Sequence, residues 1–183
     1  MESEETWSPL LGRSAELSVL MRLLQRVRSG APASAFVEGE PGIGKTRLFD
    51  ETLKRASGFS VFSAHCEELL RDRPFGPLAE ALRIDYRSKD PVRSEVAALL
   101  LAADDRGPAG PGPELRFRIL DALLTLLERS AGEGPVLLGV EDIHWADDST
   151  LLALERIIRG VVGLPLSYHS ALGVLGDVTV RHP

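Results

Sequence analysis

The chain has 183 residues, 44% of them hydrophobic, which suffices for one domain with a sizeable core and falls short of two comfortable ones. A formal net charge of -6 and a single cysteine, Cys66, argue against a nucleic-acid surface, an intrachain disulfide and a cysteine-built zinc site. The acidic start Met1-Glu2-Ser3-Glu4-Glu5 does not read as a signal peptide and no run of about eighteen apolar residues offers a membrane span, so a reducing, cytoplasmic setting is expected.

Leu17, Leu20, Met21, Leu24 and Val27 recur at helical spacing between Ser14, a candidate cap, and the breaker Gly30-Ala31-Pro32, predicting an amphipathic helix. A strand is predicted from Ser34 to Glu38. It runs into Gly39-Glu40-Pro41-Gly42-Ile43-Gly44-Lys45-Thr46, which fills G-x-x-x-x-G-K-[ST] in its required place, after an apolar run and before a helix predicted from Lys45 to Ala56. Glycines at 39, 42 and 44 free the backbone for conformations barred to side chains with a Cβ, so successive N–H groups can turn around an anion. Lys45 can neutralise β/γ-phosphate charge, and Thr46 offers a hydroxyl to Mg²⁺. The positive end of the following helix faces the same polyanion.

A second strand is predicted from Phe59 to Ala64, with His65-Cys66-Glu67 read as strand-end residues because no second ligand pair accompanies them. Short helices follow at about Leu78 to Leu82 and Val92 to Ala102. The stretch from Ala103 to Pro113 is too rich in Gly and Pro for regular structure and reads as a surface loop. Pro113 can open a long helix carrying Leu115, Ile119, Leu123 and Leu127 on one face. Pro135 to Val140 is apolar as a buried parallel strand should be, though Gly139 is expected to weaken it. Asp148 or Ser149 can cap a last helix running to Gly160.

The apolar strand ends in two adjacent acids, Glu141 and Asp142. In parallel α/β sheets ligands sit at the carboxyl ends of strands, where both the phosphate loop and these acids fall. One acid can hold Mg²⁺ while its neighbour orients or deprotonates an attacking water; the residues leave open which does which. Asparagine does not occur, so the Asn-Lys-x-Asp motif that reads guanine is missing and ATP is favoured over GTP.

Leu11-Gly12-Arg13 before a helix, Gly-Ile-Gly-Lys-Thr-Arg-Leu at 42 to 48, Arg73-Pro74-Phe75-Gly76-Pro77-Leu78, and Glu141-Asp142-Ile143-His144-Trp145-Ala146-Asp147 together resemble the signal-transduction ATPases with numerous domains. That family is related to the AAA+ and Orc1-like ATPases and is common at the front of large LuxR-type transcription regulators. The resemblance covers about residues 9 to 160. It implies an α/β fold, the three-layer P-loop sandwich with a mostly parallel sheet in the order 5-1-4-3-2. It further implies ATP held by residues 39 to 46, with Leu11 and Gly12 near the adenine, metal held by Thr46 with Glu141, and water activation by Asp142. Lys45, Glu141 and Asp142 are then the catalytic candidates, and Asp142 shares the metal candidacy. Trp145 is expected to pack rather than stack on a ligand. ATP and ADP are the implied partners, with self-association or a protein partner left open, and no nucleic acid or membrane.

After Gly160 the resemblance fades. The family pattern would bring a sensor strand, an arginine-bearing region and a helical lid, whereas residues 161 to 183 read as a divergent or truncated tail after a core of residues 1 to 160. The fold is therefore expected to be incomplete at its C-terminal side, and hydrolysis slow or absent. The tail must still supply the strand between the phosphate-loop strand and the acid strand, since otherwise two buried edges lose their partners. The main function expected is a nucleotide-dependent switch. The alternative is a non-enzymatic remnant that binds nucleotide weakly or serves only as an interaction module.

Overall fold

A computed structural model describes residues 12–104, 110–163 and 172–179. Helix α1 spans Ser14–Arg28, β1 Ala33–Gly39, α2 Lys45–Arg55 and β2 Ser60–His65. Helices α3 (Gly76–Ala81), α4 (Pro91–Asp104) and α5 (Pro113–Glu133) lead to β3 (Val136–Glu141), then α6 (Asp148–Gly163) and β4 (Leu172–Thr179). Among the described residues the sheet has the order β1-β4-β3-β2, and every pairing is parallel. These are the four strands and neighbours expected, and β4 comes from the tail whose sequence carried little strand signal. It pairs with β1 from Ala33↔Gly173 to Gly39↔Thr179, and with β3 from Val136↔Leu172 to Val140↔Gly176.

Strand β3 decides the layering because its side chains alternate between two cores. Leu137 joins Leu17, Leu20 and Leu24 of α1 and Leu48 and Phe49 of α2 on one face. Val136, Leu138 and Val140 face the other, larger core, which α3 to α6 fill with Leu78, Val96, Ile119, Leu123 and Leu154. The result is the α/β/α sandwich. Parallel strands buried on both sides need this continuous apolar run, which is why residues 136 to 140 are buried without a gap.

Several local readings change. Gly139 is paired within β3 on both sides and makes room for α2. A Cβ there would stand 2.6 Å from Phe49 Cζ and 3.4 Å from Leu53 Cδ2. Ser14 is the first residue of α1 rather than its cap, a position held by Arg13 with no side-chain capping bond. Helix α4 continues to Asp104, past the expected end at Ala102, and it is capped by Asp90, whose Oδ1 accepts from the N–H groups of Val92 and Arg93 at 2.9 and 3.2 Å. The Arg93 N–H holds the Asp90 carboxyl below the usual carboxylate range. Of the loop expected between Ala103 and Pro113, residues 105 to 109 lie outside the described residues.

Candidate nucleotide site

Strand β1 delivers the phosphate loop at its carboxyl end, and α2 begins directly after it with Gly44 at the cap position. Gly42 and Gly44 adopt φ of 78° and 90°, the left-handed region that only glycine enters freely. Gly39 does not share this constraint: it closes β1 in strand conformation. What restricts Gly39 is packing, since a Cβ there would meet the Ile43 Cγ2 methyl at 2.9 Å.

Lys45 is buried, and its Nζ donates to the carbonyls of Gly39 and Glu40 at 3.1 Å each, so the ammonium is held across the mouth of the loop. Thr46 stands exposed on the first turn of α2. Pro41, Gly42, Gly44, Lys45, Thr46, Arg47, Asp50 and Asp142 line one open cleft of about 480 Å³. The loop and the second acid, far apart in sequence, therefore line one cleft.

Glu141 closes β3 and by strand alternation falls on the face shared with Leu137 and Gly139, toward α2, but it is not among the residues lining the cleft. Asp142 leaves the strand in a left-handed conformation, φ 50° and ψ 44°, which turns the chain out of the sheet plane into the short 3₁₀ turn Ile143–Trp145. Such backbone is sparsely populated outside glycine, Asn and Asp, and it collects at functional sites.

Two histidines flank this carboxylate. His65 ends β2 opposite Glu141 in the sheet register, and its Nε2 lies 3.6 Å from Asp142 Oδ2. His144 Nδ1, a buried atom, lies 3.8 Å from Asp142 Oδ1. His65 was legible only as a strand-end residue, because its closeness to Asp142 arises from the pairing of β2 with β3. Cys66, next along, is fully buried in the larger core. Trp145 packs against that core as expected, with the His144 ring 4.9 Å away.

Helix α6 is capped by Asp147, not by Asp148 or Ser149. Asp147 Oδ1 accepts from the N–H groups of Ser149 and Thr150, both at 2.9 Å. On the other side of the loop, Gly12 sits in a turn at φ 79°, and the neighbouring Arg13 donates through Nη2 to the Ile43 carbonyl at 3.0 Å. The segment expected near the adenine is thereby tied to the phosphate loop. Leu11, its other expected member, lies outside the described residues.

Among the described residues no group of three or more His, Cys, Asp or Glu side chains could hold a metal ion by itself. No helix among them is long and apolar enough to cross a membrane.

A solved structure of similar fold is that of the Aeropyrum pernix ORC2 protein in ADPNP–ADP complexes, with a TM-score of 0.55 at 22% identity, covering 96% of this chain and 44% of that one. An uncharacterized protein of Rhizobium meliloti (strain 1021) is 28% identical over 86% of this chain and 18% of its own length. The human ATPase family gene 2 protein homolog B is 25% identical over 88% of this chain and 24% of its own. The chain thus spans less than a quarter of these curated relatives. The AAA ATPase domain family matches residues 9–166, so the chain belongs to that family, with the nucleotide binding that membership implies.

Proposed function

We propose that this chain is an ATP-binding module that works as a nucleotide-dependent switch in a signal-transducing regulator and hydrolyses ATP slowly. The observation that carries this reading is the convergence of Lys45, Thr46 and Asp142 on one cleft at the carboxyl ends of β1 and β3. The donor set fits a nucleoside triphosphate: two left-handed glycines that free the backbone to present N–H groups to an anion, a buried ammonium already placed among polar atoms, and a hydroxyl on the first turn of a helix. Thr46 with Glu141 and Asp142 would hold Mg²⁺, which supplies charge neutralisation at the phosphates. Asp142 would hold the attacking water, and Gly12 with Leu11 would lie near the adenine. The ADPNP–ADP complexes named for the Aeropyrum pernix structure support nucleotide binding as such.

Slow turnover follows from the surroundings of the proposed water-holding residue. Phosphoryl transfer depends on placing several charges together, and Asp142 is a short carboxylate whose two oxygens each lie near an imidazole. At 3.6 and 3.8 Å the rings are too far for hydrogen bonds, but they crowd the space beside both oxygens that an attacking water would take. The expected result is measurable ATP–Mg²⁺ binding, preferred over GTP, with single-turnover phosphate release well below about 1 per second, the low end for an active phosphoryl-transfer enzyme. Release at that rate, lost in Asp142→Ala, would overturn the slow-switch reading. Hydrogen-exchange patterns that are the same with ATP and with ADP would remove the switch itself.

A further inference from the structure

Asp147 uses its carboxylate beyond the needs of a helix cap. Two backbone N–H groups of α6 satisfy the capping role, yet the same Oδ1 also accepts from the N–H of Phe75 at 3.1 Å, 72 residues away in sequence. Oδ2 accepts from the Thr150 hydroxyl at 2.5 Å. The group is only 8% exposed, so each of these charge-assisted bonds is shielded from water. Phe75 is itself held in left-handed backbone at φ 59° with its ring fully buried, which fixes the direction of its N–H.

The loop between Asp142 and Asp147 has little slack. Its first end is fixed by β3 in the sheet, and its middle is closed by Trp145 N–H to the Asp142 carbonyl at 2.8 Å and Ala146 N–H to the Ile143 carbonyl at 2.9 Å. Left-handed backbone at an aspartate costs about 1 kcal/mol or more and persists only where neighbours over-determine it. The bond to Phe75 supplies that constraint at the second end.

We propose that Asp147 is a positioning residue that pins the acid loop to Phe75 and thereby keeps Asp142 at the phosphate cleft. Movement of the segment leading to Phe75 is then transmitted to the acid. The consequence for nucleotide rests on the reading of the cleft given above; the tie between the two segments does not.

Ser and Asn are both good helix caps, about as good as Asp, but only Asn has the reach to keep the Phe75 bond. The test compares Asp147→Ser with Asp147→Asn in the full chain carrying Trp7→Phe, which leaves Trp145 as the sole tryptophan. Acrylamide quenching of Trp145 is expected to rise at least about twofold in the serine variant and to stay near wild type in the asparagine variant, because loops freed from packing open locally. ATP affinity measured in EDTA is expected to be alike in all three proteins. The added affinity on supplying Mg²⁺ is expected to fall about tenfold in the serine variant alone, the usual scale for losing a group that orients a metal-site residue. Asp147→Thr, equally short, replaces the serine variant should that fail to fold. Identical quenching and identical Mg²⁺ gain in folded serine and asparagine variants would reduce Asp147 to a plain cap. A quenching difference in a protein whose wild type gains nothing from Mg²⁺ would uphold the tie and sink the metal assignment instead.

Discussion

Replacing Lys45 with alanine is expected to weaken ATP binding by about 100-fold, since hydrogen bonds to charged groups contribute on the order of 1.5–3 kcal/mol each and the ammonium can make more than one to a polyphosphate. In the structure Nζ is already desolvated and bonded to the Gly39 and Glu40 carbonyls, so its transfer to phosphate oxygens replaces neutral acceptors by charged ones. Lys45→Met separates charge from packing, because it keeps most of the aliphatic stem that runs past Gly39. Both variants should lose affinity alike by calorimetry. A folded Lys45→Ala protein that binds ATP as wild type does would remove the phosphate-cradle assignment.

The second large effect is expected at Gly139, where nothing chemical happens. A methyl group there would lie 2.6 Å from Phe49 Cζ, and the Phe49 ring, only 1% exposed, has nowhere to turn. Overpacking of this kind costs about 1–3 kcal/mol, so Gly139→Ala should shift the denaturant midpoint accordingly, and Phe49→Leu in the same chain should recover part of the loss. The two effects are then non-additive, as contacting residues require. If Gly139→Ala proves as stable as wild type, the close approach of α2 to β3 is not as described. Because Phe49 lies one turn along α2 from Lys45, the stability defect should carry a modest loss of ATP affinity with it.

What the sequence disclosed depended on whether the deciding interaction was local. The phosphate loop was legible because its glycines, lysine and threonine act within eight consecutive positions, and α1 and α5 because apolar spacing alone marks their buried faces. Asp147, Asp148, Ser149 and Thr150 are all acceptable near a helix start, and the feature that selects Asp147, the Phe75 N–H, comes from a distant segment. The same holds for His65, whose neighbour is set by strand register, and for Gly139, whose purpose is visible only once Phe49 is packed over it. Strand β4 carries two glycines in Leu172–Thr179, which dilute the β-branched and apolar signal of that segment. Its place is set by the edges of β1 and β3 that it joins, a non-local condition that no window of sequence contains.

The insertion of β4 between β1 and β3 also imposes an order on biosynthesis. The strand bearing the phosphate loop and the strand bearing the acids are never hydrogen-bonded to each other; each meets β4, which leaves the ribosome after both. Until then a nascent chain can hold β2 with β3 as one ribbon and β1 as a separate strand, each with an open edge able to recruit a neighbouring chain. Only when residues 172–179 thread between them do the two halves of the cleft come to a fixed separation, about two strand spacings or roughly 9.5 Å apart. The two halves of the site therefore meet only once residue 179 has been made, and nucleotide can select for chains that have completed this step.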